Sequence, residues 1–258
     1  MQNQPWLVIL LFLFIGSIHS TAQGPPITAD KPIMLGSNSW VIKSLTEIRK
    51  TKEGTFVKAP FMIHYLPTSN TLVGVHLPLV TYSFQDGGSG QALGDIELLA
   101  KYQFYRKDGM GKTFRIVAKT LQTLPTGKSL NIDGISTGDY NGYFGLVAGY
   151  ESIKYGVSNE LGYNISPFND LDELRYKLGF GLPLLPSVYP VKQINLYFEY
   201  QNSWFTSLNE YHLLYAQGIQ YAKGRITVET AIQIPLVQTI SESEKRTFSV
   251  FLGARFVF

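Results

Sequence analysis

From about Pro60 onward, short segments alternate apolar with polar residues and are separated by clusters of Gly, Asp, Asn, Ser and Pro. A period of two marks strands, because successive side chains leave a pleated backbone on opposite faces. The apolar phase runs through Val73, Val75, Leu77 and Leu79, then Ile96, Leu98, Ala100, Tyr102 and Phe104, then Phe114, Ile116 and Ala118. It continues over 140–150, 157–165, 174–182, 194–200, 211–219, 226–236 and 248–258. With two less regular strands before Pro67, the pattern predicts about twelve strands, an even number as bacterial single-chain barrels require.

The connections alternate in length as well. Those at Pro67–Asn70, Arg106–Gly111, Ile153–Lys154 and Ala222–Gly224 are short. Those at Gln85–Gly94, Leu124–Gly138, Ser166–Glu173, Ser203–Glu210 and Gln238–Arg246 are longer and more polar. Short periplasmic turns opposite long outer loops give this rhythm in a transmembrane barrel. Only Leu184–Pro190 breaks it, being longer than its side predicts.

The beginning of the chain predicts export. An unbroken apolar run from Trp6 to Ile15 leads to small and polar residues ending in Ser20-Thr21-Ala22. This is the layout of a secretory signal peptide over residues 1–22, although no Lys or Arg precedes the run. A bilayer-spanning helix needs ~20 apolar residues, so the run is too short for an anchor. After Gln23 no apolar stretch approaches that length, and a closed barrel is the other spanning solution. Residues 23–258 are therefore expected to form an antiparallel transmembrane β-barrel, all-β, preceded by a short periplasmic or lumen segment.

Composition removes several functions. There is no Cys, which excludes disulfides, a thiolate metal site and a lipid-modified Cys. Lys and Arg number 22 against 19 Asp and Glu, a net charge of +3 spread without a basic block, so nucleic acid is not an expected partner. No cofactor or metal site is expected. The last strand, Thr247 to Phe258, places Val250, Leu252, Ala254, Phe256 and Phe258 on one face. A terminal Phe with apolar residues at alternate positions resembles the signal read by the barrel-assembly machinery, with Phe256 and Phe258 as its marks. The expected location is the cell outer membrane of a Gram-negative bacterium, with outer-membrane lipid as the surrounding partner.

Charges decide which face meets lipid, since Arg or Lys at the bilayer midplane costs about 2 to 4 kcal/mol on that side. Asp95, Glu97, Lys101, Arg115, Lys119, Glu151, Glu160, Arg175, Lys177, Glu199, Glu229 and Arg255 all fall between the apolar positions of their strands. With His64, His76 and His212 they are the pore-lining candidates. Six of the charged set are acidic and six basic. Such a balance points to a salt-bridged interior or to neutral solutes, where rings of one sign would favour ions. Leu99, Val117, Leu121, Tyr143, Tyr197 and Phe251 share the inward phase and make the wall amphipathic. Tyr102, Phe104, Phe114, Tyr150, Tyr221, Phe256 and Phe258 gather near periplasmic strand ends, as an interfacial girdle would.

Three short motifs then suggest a family. Gly94-Asp95 opens a strand that closes on Lys101-Tyr102-Gln103-Phe104, Leu124-Pro125-Thr126-Gly127 ends the next upward strand, and Gly138-Asp139-Tyr140 opens another. The chain resembles the outer-membrane family labelled "MetA-pathway of phenol degradation", over about residues 60–258. It departs from the family at Gln103, where a basic residue is usual, and in the stretch up to Ala59. The resemblance implies a barrel of this size that moves small, often hydrophobic or aromatic, compounds.

On the residues alone, Pro125-Thr126-Gly127 is punctuation at a strand exit, because Pro lacks the ladder donor and Gly permits positive φ. Asp86-Gly87-Gly88-Ser89-Gly90 lacks the Lys and the helix of a phosphate loop and reads as a surface loop. Of the histidines beyond Gln23, His64, His76 and His212, none lies in a hydrolase motif. No catalytic residue is assigned and no enzyme is expected, a lipid hydrolase being the weakest alternative. A channel or transporter for small neutral, possibly hydrophobic or aromatic, solutes is the leading expectation. A non-conducting structural or partner-binding barrel is the alternative. Two further expectations concern detail: lumen charges should pair across strands, and His64 should lie opposite His76 if Leu66 opposes Gly74.

Overall fold

The computed structural model describes residues 26–130, 135–168, 171–186, 192–242 and 245–258. The expected signal peptide lies outside them. Among the described residues the regular structure is all β: β1 Ser39–Thr51, β2 Gly54–Thr68, β3 Thr71–Phe84, β4 Ser89–Leu93, β5 Glu97–Gly109, β6 Lys112–Thr123 and β7 Asn141–Ser152. The rest are β8 Gly156–Ile165, β9 Glu173–Pro183, β10 Lys192–Phe205, β11 Glu210–Lys223, β12 Ile226–Gln238 and β13 Arg246–Val257.

Every ladder is antiparallel, and pairing of β1 with β13 and of β2 with β3 closes the sheet on itself. The lower half of β3 pairs with β5 and its upper half with β4. Strands β4 and β5 are thus one stave interrupted at Gly94–Ile96, and the ring has twelve staves. Closure pairs every strand on both sides except the short β4 at the outer rim, whose one ladder is with β3, as a hydrocarbon environment demands of a sheet.

Outward positions carry the apolar phase. Val73, Leu77, Leu98, Phe144, Leu146, Leu161, Ile219, Ile232 and Leu252 are all exposed on the outer wall. In water such a belt would be an aggregation surface; in a bilayer it is the lipid contact. At the periplasmic ends, Phe256 stacks by Phe258 and Trp40 by Tyr65, both pairs tilted, and Tyr155 sits between Tyr150 and Phe180. Inward-phase Leu99, Val117, Tyr143, Tyr197 and Phe251 are buried, and Leu121 packs against the first of these clusters.

Three boundaries differ from the sequence reading. Strand β5 runs to Gly109, so the turn expected over Arg106–Gly111 narrows to Met110-Gly111; the Arg106–Asp108 ion pair and the bond from Thr113 Oγ1 to Asp108 Oδ1 (2.6 Å) hold the hairpin end together. Strand β10 extends through Phe205, which shortens the next outer loop. The glycine-rich stretch at Asp86–Gly90 is the tip of the β3–β4 hairpin, with Gly87 at φ 101° and Ser89 already in the ladder. Residues 187–191 of the long turn after β9 lie outside the described set.

Candidate functional site: the lumen, its N-terminal segment and the outer vestibule

Residues 26–38 run down the lumen before β1 begins. The Glu199 carboxylate accepts from the backbone N–H groups of Ile27, Thr28 and Ala29, each at 2.7 Å, and from the Thr28 hydroxyl. Asp30 accepts from Lys101 at 2.5 Å and from Lys119 at 2.9 Å, and Lys31 pairs with Glu151 at 3.2 Å. Lys177 donates to the Thr28 carbonyl at 3.0 Å. Lower down, Met34 joins Val41, Leu66, Leu72, Leu99, Val117 and Val147 in one apolar cluster. Gly36 at φ 106° and Asn38 at φ 57° then turn the chain back into the wall.

The wall is relieved where the segment lies against it. A Cβ at Gly149 would stand 2.6 Å from Pro32 Cδ, and one at Gly218 would stand 2.4 Å from Ile27 Cδ1. Glycine at these two positions leaves the room that any side chain would take.

The predicted inward charges mostly meet partners, several of them across an intervening stave. Lys119 on β6 reaches Glu160 on β8 at 2.9 Å, and Tyr143 donates to the same carboxylate at 2.7 Å. Glu229 on β12 is 3.3 Å from Lys43 on β1 and accepts from Gln220 at 2.6 Å. Glu97 pairs with Lys58 at 2.8 Å, Arg255 donates to Thr227, and Arg175 forks onto Glu173. Arg115 donates to Thr113 at 3.2 Å. The sequence reading missed Asp30, Lys31, Lys43, Glu47, Arg49, Lys58, Glu173 and Arg246. The period-two run Lys43, Leu45, Glu47, Arg49 was a usable signal, masked because the opposite face of β1 carries Ser44, Thr46 and Lys50.

His64 and His76 do meet, with Nε2 to Nε2 at 3.0 Å, but the expected register is corrected by two residues. His64 stands opposite Gly74, and His76 opposite Met62. The ladder shifts between Tyr65 and Thr68, so Thr68 pairs with Thr71 and the turn is tighter than supposed. A slip of two keeps every side chain on its face, so apolar alternation could not detect it. The two rings touch because Gly74 has no side chain: a Cβ there would lie 2.5 Å from His64 Cδ2, which marks the space the ring crosses to reach His76. His76 Nδ1 is bonded to Glu97 at 2.9 Å, extending the chain to Lys58.

Asp95 is spent on a loop. Its carboxylate accepts from the N–H groups of Gly127 (2.9 Å), Thr137 (3.2 Å) and Gly138 (2.9 Å) and from the Ser136 hydroxyl (3.2 Å). Ile96 N in turn donates to Thr126 Oγ1 at 2.9 Å. The three motifs quoted above, distant in sequence, meet at this clamp. It folds the described part of the 124–140 loop over the outer rim, where Ile135 packs with Phe56 and Val80.

Above Ile27 and Thr28 opens a vestibule of about 200 Å³. Glu47, Arg49, Glu173, Arg175, Lys177 and Arg246 supply its charges, and His212 lines it too. Ser203 stands opposite His212 in the β10–β11 ladder, with no hydrogen bond between them, and His212 presents its ring edge-on to Phe205.

No protein-family model matches this sequence, and no curated protein is detectably similar to it. Solved structures are. An outer membrane channel from Pseudomonas putida F1 aligns with a TM-score of 0.62 at 13% identity, covering 88% of this chain and 98% of that one. The KdgM porin in complex with disordered oligogalacturonate aligns at 0.55 and 10% identity, over 84% and 99%. The beta domain of the Bordetella autotransporter BrkA aligns at 0.50 and 12%, over 86% and 100%. At such identities the likeness is one of fold, and one fold serves several tasks. The closed ring, the apolar outer belt and the polar interior define a bacterial outer-membrane β-barrel, and the protein resides in the outer membrane.

Proposed function

We propose that this barrel is a channel for small, partly apolar solutes, closed in the conformation described by its own N-terminal segment. One observation carries the reading. A single chain segment runs through the lumen, and over residues 27–31 it is tied to the wall by hydrogen bonds and ion pairs, with Glu199 holding four donors of residues 27–29, beside the apolar packing of Ile27 and Met34. Contacts of that kind exchange with water more readily than a packed apolar core does. The motif resemblance adds the narrower expectation of hydrophobic or aromatic compounds, and the amphipathic wall suits them.

Liposome swelling tests it. Reconstituted Glu199→Gln protein should admit a sugar and a small aromatic solute several-fold faster than wild type, because a neutral amide accepts less strongly and adds donors of its own. If variant and wild type both match empty liposomes, the conducting reading fails and the alternative gains: a non-conducting barrel that binds a partner through its outer loops, favoured by the clamped 124–140 loop. A lipid hydrolase would need a base bonded to a hydroxyl nucleophile. The bonds described for His64 and His76 run to each other and to Glu97, which does not favour that reading.

A further inference from the structure

We infer that the outer vestibule is a binding site for a small carboxylate with an apolar body, seated on the N-terminal segment. The inference rests on the channel reading for its physiological role, while the site itself stands on three observations. First, the recess carries four cationic side chains, Arg49, Arg175, Lys177 and Arg246, against two carboxylates, Glu47 and Glu173. This mouth is locally positive, and low-dielectric walls concentrate such a field.

Second, the guanidinium groups are preset. Arg49 and Arg175 each fork onto the glutamate two residues earlier on the same strand, Glu47 and Glu173. That geometry places Arg175, Ser203 and His212 in one cross-strand row and Arg49, Ser249 and Gln233 in another. Arginines held this way lose little side-chain freedom on meeting a further planar anion.

Third, His212 is unsatisfied. It is 3% exposed, and neither ring nitrogen has a hydrogen-bond partner among the described residues. A neutral imidazole always carries one N–H, and leaving it buried without an acceptor is costly. A ligand oxygen in the recess would supply that acceptor. Below these polar groups Ile27, Leu45 and Phe251 form an apolar floor continuous with Tyr197. A fully hydrated inorganic anion would leave that floor unused, whereas a carboxylate on a hydrocarbon body uses both halves.

Benzoate and its neutral isostere benzamide separate these features. Titration calorimetry on the full-length protein in detergent, corrected against empty micelles, should give benzoate a Kd at least about tenfold lower than benzamide, the factor expected for a charge-assisted contact. Arg246→Gln should remove most of that difference by weakening benzoate more than benzamide. In histidine-labelled protein, benzoate should shift the His212 ring resonances, with His212→Asn identifying the signal. Equal affinity for the two compounds, or benzoate binding that neither moves His212 nor responds to Arg246→Gln, would overturn the site. Binding is read at equilibrium without flux, so its failure leaves the channel reading standing, and failure of flux leaves the binding result standing.

Discussion

Individual side chains in this lumen differ in what their removal exposes. Glu229 is almost fully buried between Lys43 and Gln220, so Glu229→Ala strands an ammonium inside the wall. Breaking a buried pair costs about 3 to 5 kcal/mol, less here because Lys43 keeps some contact with water. Arg115 donates to a threonine and is only half-buried, so Arg115→Ala should cost a fraction of that. Unfolding midpoints in lipid should rank Glu229→Ala well below Arg115→Ala; equal, small shifts would mean a solvated interior. Charge phase along the later strands was readable residue by residue, since lipid penalises Arg or Lys on the other face. Partner choice was not, because Lys119–Glu160, Lys43–Glu229 and Lys58–Glu97 each skip a stave, and strand spacing alone does not say which side chains lean that far.

At the scale of elements, two pieces without strand periodicity stand out: the segment 26–38 inside the lumen and the described part of the 124–140 loop at the outer rim. Gly149→Val should push Pro32 off the wall while leaving the β7 ladder intact, because the clash is with the segment's side chain and not with a neighbouring strand's backbone. The check is uptake by liposomes, expected to rise, alongside unchanged heat-modifiable mobility, expected to show an intact barrel. Asp95→Asn should release the loop. Replacing an acceptor of four bonds by a group with half its acceptor capacity leaves buried donors unpaired, at about 1 to 3 kcal/mol. Limited proteolysis should then cut within 124–140 at rates wild type does not show. The loop's boundaries were legible from Pro125 and Gly138, but its anchoring was not: Asp95 was placed among inward wall charges because its strand phase is inward, and only the return of Gly127 and Gly138 to its carboxylate reveals the clamp.

For the whole molecule, twelve staves enclose an interior near the boundary between filled and open barrels. Here the chain's own segment and the paired charges occupy part of that space, and a recess opens at the outer mouth. The protein should fractionate with the outer membrane and migrate faster unheated than boiled in detergent electrophoresis; recovery in the soluble periplasm would contradict the membrane assignment.

What the amino-acid order determines by itself is the strand period, the lipid-facing phase, the alternation of short and long connections, and hence a barrel of about this size. These follow from local rules, repeated every two residues and every hairpin, that each segment states independently. Tertiary structure alone decides the His64–His76 register, the Asp95 clamp and the seating of residues 26–38 between Glu199, Lys101, Lys119 and Glu151. A two-residue slip leaves alternation unchanged, and a segment without period carries no sign of where it docks. Its place becomes defined only when a closed ring brings two acids, two lysines and two glycines around the same segment.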